Sequence, residues 1–100
     1  MKVYKEIKNG IAFITPHGIL MGGSESKVLN KILLEIENNS VRECIVDFTN
    51  IKWINSPGAG LLVKRKNNFR KKGKDLQIVN INNKVKNYFH MTNLLEYFQL

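Results

Sequence analysis

Ser56 has the most suggestive chemistry in this chain, because it sits in Asn55-Ser56-Pro57-Gly58-Ala59-Gly60, where strand-like Ile51 to Ile54 gives way to a helix. A serine hydroxyl at a helix N-terminus meets backbone amides and the positive end of the helix dipole, so a phosphate carried there is favoured. The nearby glycines let another protein approach the backbone closely. The same residues also fit a purely structural role: Ser56 suits the N-cap, and Pro57 the first helical position, whose amide is unpaired anyway. Other groupings fail on chemistry. Gly58-Ala59-Gly60 opens a helix as a dinucleotide fingerprint does, but the third glycine falls on Val63. Gly18 and Gly23 have the spacing of a phosphate-binding loop, yet Ser24 stands where its lysine is required. Ser56 lacks the flanking glycines of a nucleophile elbow, and neither His17 nor His90 shows a sign of being its base, which argues against a hydrolase. His17, His90 and Cys44 have no paired ligand spacing, so neither a metal nor another cofactor is expected.

Lys64-Arg65-Lys66 and Arg70-Lys71-Lys72-Gly73-Lys74 form the densest basic segment, with Phe69 between them. On a helix these cations would be the solvent face and Phe69 the core face, and no aromatic stacking motif of an RNA-binding domain accompanies them. A small nucleic-acid-binding protein is therefore an alternative reading and not the favoured one. The formal charge of +8 is diffuse, and 13 Lys beside 13 Asn indicate a compositional bias that supplies surface lysine without functional demand.

The elements that position these residues follow from periodicity. At 100 residues and 43% hydrophobic, the chain is sized for one domain, 1–100, with a core that needs no disulfide. Cys44, the sole cysteine, lies in an apolar run and reads as a buried thiol in a reducing compartment. The N-terminus lacks the apolar stretch of a signal peptide and nothing is long enough for a membrane span, so a cytoplasmic protein is expected. Val3 to Lys8 and Ile11 to Thr15 read as strands joined by an Asn9-Gly10 hairpin turn, with Pro16-His17-Gly18 ending the second. After the Gly22-Gly23 loop, Ser24 is placed to cap a helix with Glu25 in its first turn and Val28, Leu29, Ile32, Leu33 and Ile36 on one face. Cys44 to Phe48 reads as a central strand covered on both faces by helices. A second helix from Ser56 carries Ala59, Leu62, Val63 and Phe69 inward and stops at Gly73. Leu76 to Ile81 is a strand, and Asn82 or Asn83 caps a third helix with Val85, Tyr88 and Phe89 buried. The order is β-β-α-β-α-β-α, an α/β fold with a mixed sheet and helices packed on it.

Ile45-Val46-Asp47-Phe48, the Ile54 to Gly60 turn, Leu76-Gln77-Ile78-Val79 and Val85-x-x-Tyr88-Phe89-x-x-x-Asn93-Leu94 together resemble the STAS domain, from about Val3 to the chain end. The resemblance is to the branch of bacterial anti-sigma factor antagonists in particular. It implies a partner-switching regulator and not an enzyme: the unphosphorylated antagonist binds an anti-sigma factor that is also a serine kinase, and phosphorylation ends the binding. No small-molecule ligand and no membrane is implied. The family's phosphoacceptor falls on Ser56, and its binding surface on Asn55, Pro57, Gly58 and Gly60, with Met21, Gly22, Gly23 and Ser24 on the neighbouring loop. Asn55 replaces the more usual Asp, Pro57 replaces a second Ser and stiffens the turn, and Met21 stands where many antagonists are acidic. Asn93 replaces a Gly, and many members continue past the position of Leu100. A STAS scaffold or complex subunit that is never phosphorylated is the alternative within the fold, favoured by Pro57.

Overall fold

The computed structural model describes residues 1–100. Strands β1 (Lys2–Lys8) and β2 (Ile11–Leu20) form an antiparallel hairpin. Its turn residues Asn9 and Gly10 both have positive φ, 54° and 77°, as a two-residue turn matched to strand twist requires. Then follow α1 (Ser24–Glu37), β3 (Glu43–Asp47), β4 (Ile51–Ile54), α2 (Ser56–Lys71), β5 (Asp75–Val79) and α3 (Asn83–Met91). The sheet runs β1-β2-β3-β5, parallel after the hairpin, and β4 pairs in parallel with the far end of β2. This is the mixed α/β architecture expected, with one more strand, β4, in the segment leading to Ser56.

Pro16-His17-Gly18 does not end β2, which continues to Leu20. Along one edge β2 pairs with β3 over Ile11 to Ile14 and with β4 over Gly18 to Leu20. Pro16 falls in the gap between these two partners, where a missing amide is tolerated. Gly18, at φ 127°, marks the register shift that swings the strand onto β4. That extension delivers Leu20 and Met21 to the start of α2.

Burial alternates along the central strands. Ala12, Ile14, Cys44, Val46, Leu76 and Ile78 are buried on the helix-covered face, while Phe13, Ile45 and Gln77 lie on a partly open one. Strand β3 is therefore not covered on both faces; its apolar run hides an alternation because Ile45 is apolar on the open side. Burial and the contribution of Glu43's charge push the Cys44 thiol up to about 12.

The helices fill this one core with Leu29, Leu33 and Ile36 from α1, Ala59, Leu62 and Phe69 from α2, and Val85 and Phe89 from α3. Val28, expected on the inner face of α1, is exposed. Ser24 does not cap α1: the N-cap is Gly23 with no side-chain bond, and Ser26 Oγ instead accepts the Gly22 N–H at 2.7 Å. Asn82 caps α3 by accepting the Val85 N–H at 2.9 Å. Beyond α3, Asn93 takes the left-handed conformation at φ 59°, and the chain folds back so that Phe98 packs on Phe89, ring centroids 5.2 Å apart.

The basic segment departs most from expectation. Arg65 and Lys66 are not on the solvent face; they are 4% and 0% exposed. They stand on the stripe of α2 that also bears Leu62 and Phe69, so helical spacing turns them inward and their long stems are buried. Lys66 Nζ donates to Asp75 Oδ1 at 3.1 Å and to the Leu76 carbonyl at 2.6 Å. Arg65 pairs with the buried Glu37 at 3.0 Å, and Lys72 with the same carboxylate at 2.9 Å. Lys74 Nζ donates to the Glu37 carbonyl at 2.8 Å and to that of Asn39, closing the C-terminal end of α1. Partial burial opposes ionisation of Asp75, but bonds from Lys66 and the Leu76 amide, with the charges of Lys66 and Arg70, together hold its carboxyl below the usual range.

Candidate functional site

Strand β4 brings Asn55 alongside the end of β2. The Asn55 N–H donates to the Leu20 carbonyl at 3.2 Å, and its side-chain amide donates to the Met21 carbonyl at 3.1 Å. Its Oδ1 accepts the Gly58 N–H at 3.1 Å. Asn55 is therefore the N-cap of α2, displacing Ser56 from the role its residue type suggested. The reason is local: a cap needs extended backbone and an acceptor three residues before the bonded amide, and Asn55 has both, at φ −130° and ψ −175°. An aspartate could accept the same amide but could not donate to Met21. Ser56 is already helical, one residue further in.

Two close approaches lock this corner. A Cβ on Gly58 would lie 2.1 Å from the Leu20 carbonyl oxygen, so only glycine lets the first turn of α2 sit on β2. A Cβ on Gly22 would lie 2.3 Å from the Pro57 Cβ, and Gly22 is also left-handed at φ 86°. Met21, Gly22, Asn55, Pro57 and Gly58 are thus drawn together around Ser56. Gly60 lies one turn along α2, exposed, with open space where its side chain would be. Gly23 and Ser24 are exposed at the start of α1, Gly23 likewise facing open space.

The consequence for Ser56 is freedom. Its side chain is exposed and makes no hydrogen bond within the chain, because the capping duty has passed to Asn55. Two grooves flank the Asn55-Ser56 corner. One, about 570 Å³, runs along α2 past Ser56, Gly60 and Lys64 and is faced by Tyr88 and Leu94. The other, about 330 Å³, lies between Trp53, Asn55, Lys84, Tyr88 and Met91. Sequence reasoning missed Trp53 and Met91, since an aromatic in a strand and a methionine at a helix end ordinarily read as core. The signal was the four-residue β4, in which Ile51 and Ile54 are both buried and Lys52 and Trp53 both exposed, breaking the alternation.

His17, His90 and Cys44 are not brought together. His17 packs edge-on to Tyr4, ring centroids 5.1 Å apart, with Nε2 3.4 Å from Asn50 Nδ2; His90 is exposed on α3 and Cys44 is in the core.

A family model described as the STAS domain matches residues 2–100. No curated protein sequence matches the chain. Among solved structures, an anti-sigma factor antagonist from Mycobacterium paratuberculosis superposes with a TM-score of 0.79 at 16% identity, covering 97% of this chain and 81% of its own. The Bacillus cell fate determinant SpoIIAA in its phosphorylated form gives 0.75 at 15% identity, with 96% and 87% covered. The murine solute carrier 26 family member A9 anion transporter gives 0.74 at 19% identity, but the 87% of this chain that aligns corresponds to 14% of that protein. No helix here is long and apolar enough to cross a membrane.

Proposed function

The chain belongs to the STAS domain family, and from that premise we propose that it is a cytoplasmic anti-sigma factor antagonist whose binding to an anti-sigma factor kinase is switched at Ser56. The observation that carries the reading is the uncommitted Ser56 hydroxyl at the exposed corner where Met21, Gly22 and Pro57 meet. Because Asn55 supplies the cap, modifying Ser56 removes no bond from the fold. A phosphate there adds about 1.5 to 2 negative charges, which the N-terminal end of α2 tolerates in the free protein. On a contact surface the same charge must be desolvated against the partner. Every 1.4 kcal/mol or so of uncompensated cost is a tenfold loss of affinity. The switch acts on binding and leaves the fold alone.

Calorimetry of wild type, Ser56→Ala and Ser56→Asp against the anti-sigma factor kinase of the same genome tests this. Ser56→Ala is expected to bind as wild type does, and Ser56→Asp at least about tenfold more weakly. Incubation with the kinase and ATP is expected to add one phosphate, on Ser56. Equal affinity of the two variants would put Ser56 outside the interface. It would leave the unphosphorylated scaffold, which the packing of Pro57 on Gly22 favours by stiffening the segment a kinase must grip.

A further inference from the structure

We propose that the groove between Trp53 and Met91 docks an acidic segment of the partner protein, seating one of its apolar side chains between the indole and the thioether. This rests on the reading that the chain works by binding a protein, and adds the place and the chemistry of the contact. Trp53 is 44% exposed and Met91 79%. Ile19, opposite Trp53 in the β2–β4 register, is 42% exposed and Met21 39%. Single exposed apolar residues are ordinary, but Trp53 and Met91 line one groove, with Ile19 on the strand beside Trp53 and Met21 tied by its carbonyl to Asn55 in the groove wall.

Charge decides the partner's character. No carboxylate lines either groove beside Asn55 and Ser56. Lys84 stands in the wall of the Trp53 groove, its Nζ 5.2 Å from the indole centroid, and Lys64 and Lys71 line the other. The protein's ion pairs all lie toward the far end of α2, where Glu37 and Asp75 engage Arg65, Lys66, Arg70 and Lys72. Lys64 and Lys84 have no carboxylate within ion-pair distance, while Glu25 lies outside both grooves, in a neighbouring pocket with Ile19 and Lys52. In a chain of net charge +8, the only charged side chains lining these two grooves are lysines, so an acidic segment is attracted and a basic one repelled. Single-stranded RNA also seeks lysine beside aromatic rings, but it stacks successive bases on several platforms. Here Trp53 is the one well-exposed ring of its groove, Tyr88 being half-buried, and Met91 stands beside it.

Trp53 is the only tryptophan, so its emission reads the groove directly. Two short synthetic peptides, each with a Leu-Phe pair, flanked by glutamates in one and by lysines in the other, are titrated into the full chain at low salt. The glutamate peptide is expected to shift the emission saturably and to bind at least about tenfold more tightly than the lysine peptide. Met91→Ser and Lys84→Glu are each expected to weaken it by about fivefold or more. An unchanged emission, equal affinity for both peptides, or tighter binding of a short uridine oligomer would overturn the proposal. Neither kinase nor phosphate enters this experiment. A failed Ser56 switch with retained peptide selectivity overturns only the phosphorylation reading, and the reverse pattern overturns only the groove.

Discussion

At its N-terminal end α2 is held by one neutral amide side chain and by backbone: Asn55 bonds Leu20, Met21 and Gly58, and Gly58 rests on a carbonyl with no room for a methyl group. Along its C-terminal half it is held by charge, with Arg65 and Lys66 buried and answered by Glu37 and Asp75. With Asn55 and the close-packed glycines holding the helix start, the Ser56 hydroxyl is left on the surface with no bond to make for the fold. Contacts made through ionised side chains consume them. The two ends teach that a dense charge run can be structural while a plain turn of small residues is what stays available for a partner.

The largest effect expected is at the backbone-held end. Gly58→Ala forces a methyl group into the Leu20 carbonyl and should cost about 3 kcal/mol or more, read from the urea midpoint. A loss under about 1 kcal/mol would show that the corner yields and is not locked. Next comes the charged end: Asp75→Asn leaves the Lys66 ammonium buried without its counter-ion, at a cost of about 2 kcal/mol at neutral pH. Asp75 has a lowered folded pKa, so its contribution is present above the usual carboxylate range and is lost as pH falls through the folded value. The wild-type midpoint should therefore stay level down to about pH 5 and fall below about pH 4, with wild type and Asp75→Asn converging as pH falls through the lowered folded value. Parallel curves would remove the ion pair from the account. The finest distinction separates two adjacent residues. Asn55→Ala should cost about 1 to 2 kcal/mol by removing the cap and the bond to Met21. Ser56→Ala should stay within about 0.5 kcal/mol. If the order of those two is reversed, Ser56 is structural and no longer free to act as a switch.

The first hairpin, the three helices and the turn at which α2 begins were legible because hydrophobic period, the Asn9-Gly10 turn and the Gly73 stop are local signals. What was illegible depended on distant partners. The continuation of β2 through Pro16 needs β3 and β4 to leave a gap opposite it. The burial of Lys66 needs Asp75 and the Leu76 carbonyl, which lie on the next strand. The capping of α2 was misplaced by one residue because Ser and Asn are equally good caps in isolation, and the bond to Met21 that favours Asn55 crosses between two loops. Asn93, which stands at a glycine position of the resembled family, takes the left-handed conformation that Asn tolerates.

Cys44 gives the molecule a clock. With its thiol pushed up to about 12 and its side chain in the middle strand, almost no thiolate meets solvent at neutral pH while the sheet is closed. Alkylation of Cys44 therefore counts openings of the sheet's centre, one covalent event at a time. Changes confined to the surface at Ser56 should leave that count as it was, whereas loosening the seat of α2 on Leu20 should quicken it.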